Sequence, residues 1–488
     1  MDWHQLLGVM QGYWPHLVLV VSVLASVLAT IHIAMTKQDV KSAIGWVAVV
    51  IFSPLLGATF YLFAGINRIR QKRLSAQREM AKHELAVMER LIVRDLTDYA
   101  DHYLDALRTL GNNVCENELF NGNRVEILDS GDETYPAMIE AIASARRCIV
   151  LQSYIFDHDG IGVKIAQALI DAFNRDVQVR VLIDAVGAKY SNPAITRLLK
   201  ASGVPVARFL PTAIGLRLVY ANLRSHRKLL VVDGSLALAG GMNIRSGFMS
   251  AFAGENRASD THFKVTGPIA RQLMNSFAHD WEFTTRESLP TAPWFEFTPE
   301  ALSGEDVTPA RVVPSGPDRT MQSNQSMILG ALSVARHHVR IQSPYFLPDM
   351  VLMAALVTAA RRGVTVDVLI PGHNNLKLVG AAMEAQLELL IKDGVRVWRT
   401  SGAFDHSKLL TVDNQWSYVG SSNIDPRSLR LNFELDLEIY SRALANHLSQ
   451  RIDTKIAQGK LVTLSELQSV SFAVRLRNRL IWLVSPYL

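Results

Sequence analysis

One pattern occurs twice in the chain with identical internal spacing. The first copy is His226-Arg227-Lys228-Leu229-Leu230-Val231-Val232-Asp233-Gly234, followed by Gly240 and Asn243. The second is His406-Ser407-Lys408-Leu409-Leu410-Thr411-Val412-Asp413-Asn414, followed by Gly420 and Asn423. Both read H-x-K-x4-D-x6-G-x2-N. The apolar run after each Lys has the composition of a short buried strand. Residues two apart on a strand share a face, so His226 and Lys228 point together, as do His406 and Lys408. An imidazole beside an ammonium suits an anion, phosphate above all. Lys brings a fixed point charge, and His brings a nucleophile or a proton. The Gly-x-x-Asn that follows reads as a turn whose amide, Asn243 or Asn423, is free to donate to phosphate oxygen. Asp233 and Asp413 lie an odd number of residues beyond the Lys. Alternation therefore puts them on the opposite face, bracing the site from behind.

The pattern belongs to a longer repeat. Gln152-Ser153-Tyr154-Ile155-Phe156 matches Gln342-Ser343-Pro344-Tyr345-Phe346, and Val177-Gln178-Val179-Arg180-Val181-Leu182-Ile183 matches Val364-Thr365-Val366-Asp367-Val368-Leu369-Ile370. A helical pattern separates the two apolar runs in each copy. Strand, helix and strand in alternation predict an α/β sheet with helices on its faces, built twice. The copies are not equal in length: the glutamines stand 342 − 152 = 190 residues apart and the histidines 406 − 226 = 180. The extra residues fall at 211–225 and include Leu216, Leu218, Val219 and Tyr220. That apolar loop reads equally as a cover for acyl chains or as a packed surface loop.

The 488 residues are too many for one ordinary domain. A mean hydropathy of +0.13 is high for a wholly soluble chain, and two amino-terminal stretches account for it. Residues 17–35 and 43–66 are uncharged, and each is long enough to span a bilayer, for which about 20 residues are needed. Together they predict a transmembrane helical hairpin. Arg68, Arg70, Lys72, Arg73 and Arg78 follow directly, which places the downstream chain in the cytoplasm by the positive-inside rule. Residues 84–110 have amphipathic helical spacing and predict a linker helix. Residues 288–319, rich in Pro and Thr, read as the connection between repeats. At the end, 461–488 read as a basic amphipathic helix with Arg475, Arg477 and Arg479, lying either on a membrane or against the domain. The expected segments are a hairpin (1–66), a basic and amphipathic linker (67–120), repeat 1 (121–287), a connector (288–319), repeat 2 (320–460) and the final helix (461–488). The net charge of +5 suits anionic lipid or nucleic acid without choosing between them. Cys115 and Cys148 form no metal or disulfide pattern. No Asp/Glu/His cluster reads as a metal cage, so neither a metal nor another cofactor is expected.

Two H-x-K-x4-D motifs in tandem resemble the phospholipase D superfamily. The region 46–65 is similar to the amino-terminal membrane region of bacterial cardiolipin synthases. Asn222-Leu223-Arg224-Ser225-His226, Pro344-Tyr345-Phe346-Leu347-Pro348-Asp349, and Asp425-Pro426-Arg427-Ser428 with Asn432-Phe433-Glu434 resemble stretches of their catalytic part. Asn375 and Ser259 depart from it, standing where Asp and Arg are common. The resemblance implies two phospholipase D-like domains related by a pseudo-twofold axis and sharing one phosphate site. It implies catalytic roles for His226, Lys228, Asp233, His406, Lys408 and Asp413, with phosphate held by Asn243 and Asn423. Asp260 and Glu434 would then accept from the second ring nitrogen of the histidines. It further implies a multi-pass enzyme of the bacterial inner membrane acting on phosphatidylglycerol among anionic lipids, with no nucleic-acid partner. The activity implied is transfer of a phosphatidyl group from one phosphatidylglycerol to another. Hydrolysis, in which water replaces the alcohol, is the near alternative; a nuclease and a non-catalytic membrane scaffold are more distant ones.

Overall fold

The computed structural model describes residues 3–37, 39–65, 86–211, 222–296, 304 and 307–485. The chain forms two compact units, 1–70 and 71–488.

In the first unit the helix Trp3–Thr36 contains a 24-residue apolar span, Tyr13–Thr36. At 1.5 Å per residue that is about 36 Å, enough to cross a hydrocarbon core of about 30 Å. The second apolar stretch, expected as the other arm of the hairpin, is not one continuous helix. Val40–Phe52 stops at Ser53, and Pro54–Phe60 starts anew. Proline disfavours helical backbone in the residue before it, and Ser53 sits at φ −139°, ψ 74°. Gly57 then lies so close to the Val49 carbonyl that a Cβ there would stand 2.3 Å from it. The two short helices thus fold on each other around Val50, Ile33 and Tyr61, with the Tyr61 hydroxyl 2.8 Å from His32 Nδ1. Among the described residues only one helix is long and apolar enough to span a membrane. The arginines and lysines at 68–78 lie outside the described residues.

The second unit is built on one 16-stranded sheet. Repeat 1 supplies β1 (Phe120–Asp129), β2 (Cys148–Ser153), β3 (Gln178–Asp184), β4 (Val206–Phe209), β5 (Arg224–Ser225), β6 (Leu229–Val232), β7 (Leu236–Gly240) and β8 (Thr261–Thr266). Then come β9 (Thr308–Ser315), β10 (His338–Gln342), β11 (Thr365–Pro371), β12 (Arg396–Thr400), β13 (Leu409–Val412), β14 (Trp416–Gly420), β15 (Asn432–Tyr440) and β16 (Lys460–Leu461). Across the sheet the order is β16-β12-β11-β10-β13-β14-β15-β9-β1-β8-β7-β6-β2-β3-β4, with β5 paired to β15. Without β16 the order is a palindrome of the two repeats about the β9–β1 pair, as the pseudo-twofold reading expects. In repeat 1, helices Gly131–Ser144 and Gly160–Asn174 pack on one face, and Ile269–Thr285 covers the other. Strands buried on both faces need apolar side chains throughout, and Leu229-Leu230-Val231-Val232 is such a run.

The segment boundaries need three corrections. The expected connector contains β9, the counterpart of β1 and a central strand. Pro309 and Pro314 disguise it, because proline donates nothing to a ladder. The Gln272 side chain takes the N–H of Val312 instead. The expected linker helix over 84–110 is interrupted: Ala86–Leu91 is a 3-10 turn, Ile92 bridges to Phe120, and a regular helix begins only at Asp105. Its apolar residues Leu96, Ala100, Leu104 and Leu107 serve the core of repeat 2, so packing overrides local periodicity. The final segment holds β16 and two helices, Leu464–Ser469 and Phe472–Leu483, rather than one. Of the long loop in repeat 1, residues 212–221 lie outside the described residues.

Candidate active site

Each motif histidine enters through a bridge to the other repeat. β5 pairs in parallel with β15, and the N–H of His226 donates to the Phe433 carbonyl at 2.8 Å. In the symmetric position Ser259 bridges to Asp405, and the N–H of His406 donates to the Ser259 carbonyl at 2.7 Å. Ser259, one of the two departures from the family pattern, does this with backbone alone. The residue after each bridging partner is the carboxylate that meets the ring. His226 Nδ1 is 2.9 Å from Glu434 Oε2, and His406 Nδ1 is 2.8 Å from Asp260 Oδ2. Each histidine is therefore oriented by the opposite repeat, and Nε2 is the nitrogen left for a substrate.

The lysines complete the cluster. Lys228 Nζ donates to the His226 carbonyl at 2.6 Å, and Lys408 Nζ donates to that of His406. Burial pushes Lys228 down to about 7 and Lys408 down to about 8. Burial also lowers both histidines, His406 to about 4. Burial alone would raise Glu434, but His226, Lys228 and the Ser421 hydroxyl outweigh it and hold the carboxyl at about 2. Burial thus makes two ammonium groups and two imidazoles reluctant to carry charge. A phosphodiester between them would restore all four.

Asn243 Oδ1 accepts the Ile155 N–H at 3.1 Å, leaving its amide NH2 to donate. Asn423 Nδ2 lies 3.4 Å from Ser428 Oγ. Asp233 and Asp413 are not brought to the site. Both sit at positive φ, +49° and +51°, in the tight turns after β6 and β13. Asp233 accepts the N–H groups of Arg146, Arg147 and Cys148 at 2.8–2.9 Å. Asp413 accepts those of Arg336, His337 and His338 at 2.7–2.9 Å and the Tyr103 hydroxyl at 2.7 Å. Their grouping with the catalytic residues is corrected: each ties its hairpin turn to the start of a neighbouring strand, as the alternation along the strand requires.

Several neighbours of the site escaped the sequence reading. Tyr154 stands edge-on to His226 at 5.3 Å between ring centres, with Lys228 Nζ 5.6 Å from its ring centre. Tyr345 flanks His406 at 6.2 Å and donates its hydroxyl to Asn375, the other departure from the family pattern, at 2.9 Å. Both tyrosines lie in the matched segments at the ends of β2 and β10, which was the available signal. The two carboxylates are also supported unequally. Glu434 accepts from Ser421 Oγ at 2.6 Å and from Asn432 Nδ2 at 3.1 Å. The counterpart of Ser421 is Gly241, where a Cβ would stand 2.6 Å from Asp260 Oδ1 and leave no room for a hydroxyl.

Comparison with known proteins agrees with this architecture. The family model described as "Cardiolipin synthase, PLD-like domain" matches residues 138–281 and 328–456, and the model "Phospholipase_D-nuclease N-terminal" matches 24–65. A protein named cardiolipin synthase A from Pseudomonas entomophila is 31% identical over 474 residues, covering 95% of this chain and 96% of that one. One named cardiolipin synthase from Alkalihalophilus pseudofirmus is 28% identical over 99% of this chain and 96% of its own. The crystal structure of phosphatidylserine synthase from Haemophilus influenzae superposes with a TM-score of 0.61 at 18% identity, over 78% of this chain and all of that one, a likeness of fold. With two phospholipase D-like repeats meshed through reciprocal histidine–carboxylate pairs, and with relatives matched over nearly its whole length, the chain belongs to the phospholipase D-like cardiolipin synthase family.

Proposed function

We propose that this phosphatidyltransferase joins two phosphatidylglycerol molecules into cardiolipin and releases glycerol through a phosphohistidine. The reading rests on family membership and on the crossed pairs His226–Glu434 and His406–Asp260, which hold two imidazoles and two lysines in one buried cluster. In the first step His226 Nε2 attacks phosphorus, the bond from phosphorus to the glycerol oxygen breaks, and His406 gives that oxygen its proton. In the second, His406 takes the proton from a hydroxyl of another phosphatidylglycerol. The resulting alkoxide attacks phosphorus, and the phosphorus–nitrogen bond breaks. Lys228, Lys408 and the amides of Asn243 and Asn423 carry the charge on the non-bridging oxygens.

Unequal carboxylate support favours His226 as nucleophile. Phosphorylation at Nε2 leaves that ring cationic, and its partner Glu434 is held ionised by His226, Lys228 and the Ser421 hydroxyl and also accepts from the Asn432 amide. The site would work at the inner membrane of a bacterium, where phosphatidylglycerol is at hand. A lipid hydroxyl at high local concentration then competes well with water.

The test is purified full chain with phosphatidylglycerol as the sole lipid, products separated by mass. Cardiolipin with an equal amount of glycerol is expected, and phosphatidic acid as main product would establish the hydrolase instead. His226→Ala and His406→Ala should each lower turnover by several orders of magnitude. Phosphoenzyme should be trapped in His406→Ala and absent from His226→Ala; the reverse would exchange their roles.

A further inference from the structure

The helix Phe472–Leu483 has two working faces. Val474, Asn478, Ile481 and Trp482 turn inward, and the helix packs along Lys377–Ile391. On the other side Phe472, Leu476, Leu480 and Leu483 form a stripe at spacings of four, four and three residues. These four side chains are between 47 and 72% exposed. Residues with such spacing lie on one face of an α-helix. On a helical wheel Arg475 and Arg479 border one edge of that stripe and Arg477 the other. Arg475 has no partner among the described residues, and Arg479 reaches only Glu388 at 3.6 Å. From residue 467 onward the sequence holds these three arginines and no acidic residue.

We propose that this outward face docks on an anionic lipid surface, the apolar stripe entering the headgroup–acyl boundary and the three arginines meeting lipid phosphates. Length supports a helix lying flat, since 12 residues reach about 18 Å, too short to span. Charge argues against a second copy of the chain on this face. A self-complementary contact would set the same arginines of two copies against each other with no acid to meet them. A negatively charged membrane supplies both the apolar depth and the counter-charge. The chain also carries one amino-terminal helix long and apolar enough to cross a bilayer. The contact is independent of which phosphatidyl group is transferred and adds a second hold beyond the amino-terminal helix.

The experiment uses full-length chain with Cys115 and Cys148 replaced by Ala, an environment-sensitive fluorophore on Leu480→Cys, and vesicles of phosphatidylcholine with or without phosphatidylglycerol. Emission at 480 should shift to the blue and rise several-fold only where phosphatidylglycerol is present. Lipids brominated on their acyl chains should quench it. The same label on Asp171→Cys, an exposed position on the Gly160–Asn174 helix, should not respond. In the triple variant Arg475→Gln, Arg477→Gln, Arg479→Gln the response at 480 should fall severalfold, with the thermal unfolding midpoint held. Emission at 480 that matches the 171 control in phosphatidylglycerol vesicles would overturn the proposal, as would an equal response to phosphatidylcholine alone. A shift already present in detergent and growing with protein concentration would assign the face to a second copy. Turnover measured in parallel reports on the reaction separately, because the readout here is position.

Discussion

His226 and His406 occupy mirror positions in the two repeats, yet their surroundings differ by single atoms. One carboxylate has a serine hydroxyl beside it, and the other has a bare glycine. The lysines differ less, and they set the pH response. Both must be ammonium to hold a phosphodiester, and burial has pulled them down to about 7 and about 8. A lowered lysine loses its proton as pH rises, so productive binding is present below these values and lost above them. On the acid side the nucleophilic imidazole must be neutral, and burial lowers His226 below its ordinary value, which extends the neutral form to lower pH. The profile of kcat/KM against pH should therefore fall through about 7–8, values that belong to the coupled cluster. Arginine stays charged throughout, so Lys228→Arg should weaken activity but move the basic limb upward. A basic limb that stays in place would detach it from Lys228.

At the scale of elements, the motif aspartates explain why the sequence pattern runs so far beyond the lysine. Asp233 and Asp413 tolerate the positive φ of their turns, and each gathers three backbone N–H groups from the start of the adjacent strand in the sheet. Removing such an acceptor strands several donors at a cost of about 1–3 kcal/mol each where they are buried. Asp233→Ala and Asp413→Ala should each lose roughly 2–4 kcal/mol of stability, read as a lowered denaturation midpoint. The fraction that stays folded in the cold should keep far more activity than a histidine variant. Loss of turnover at full stability would return these residues to the chemistry. Face alternation along five residues was enough to foresee this placement. Alternation and repeat spacing likewise foretold the paired strands and helices around each motif. What escaped had a competing physical cause. β9 hides behind Pro309 and Pro314, and the break at Ser53 follows from one proline inside an otherwise uniform apolar stretch. The crossed pairing of Glu434 with His226 and Asp260 with His406 is a tertiary fact that no local pattern carries, although both carboxylates were legible as candidates.

At the scale of the whole molecule, the palindromic sheet brings the motifs of two repeats into one cluster. The basic run at 68–78 argues for a cytoplasmic catalytic unit. A membrane-impermeant maleimide should then leave Asp171→Cys, in the same cysteine-replaced background, unmodified in intact cells and react only after permeabilisation. Prompt labelling in intact cells would reverse the topology.

The reaction itself makes a sharper claim at this scale. Transfer between two phosphatidylglycerols breaks one phosphodiester and forms another, with no activated donor and no net change in bond type. Its equilibrium constant should lie near one, so mass action sets its direction. In the proposed mechanism one acid–base histidine would protonate the leaving alkoxide and deprotonate the entering alcohol, whichever alcohol it is. Purified chain given cardiolipin and a large excess of isotopically labelled glycerol should make phosphatidylglycerol carrying the label in its headgroup. Unlabelled glycerol added to the forward reaction should depress cardiolipin in proportion. If a phosphohistidine is shared by both directions, His406→Ala should abolish both by the same factor. Label that never enters phosphatidylglycerol, while cardiolipin still forms, would mean that an irreversible step separates donor from product, and exchange through a common phosphoenzyme would fall.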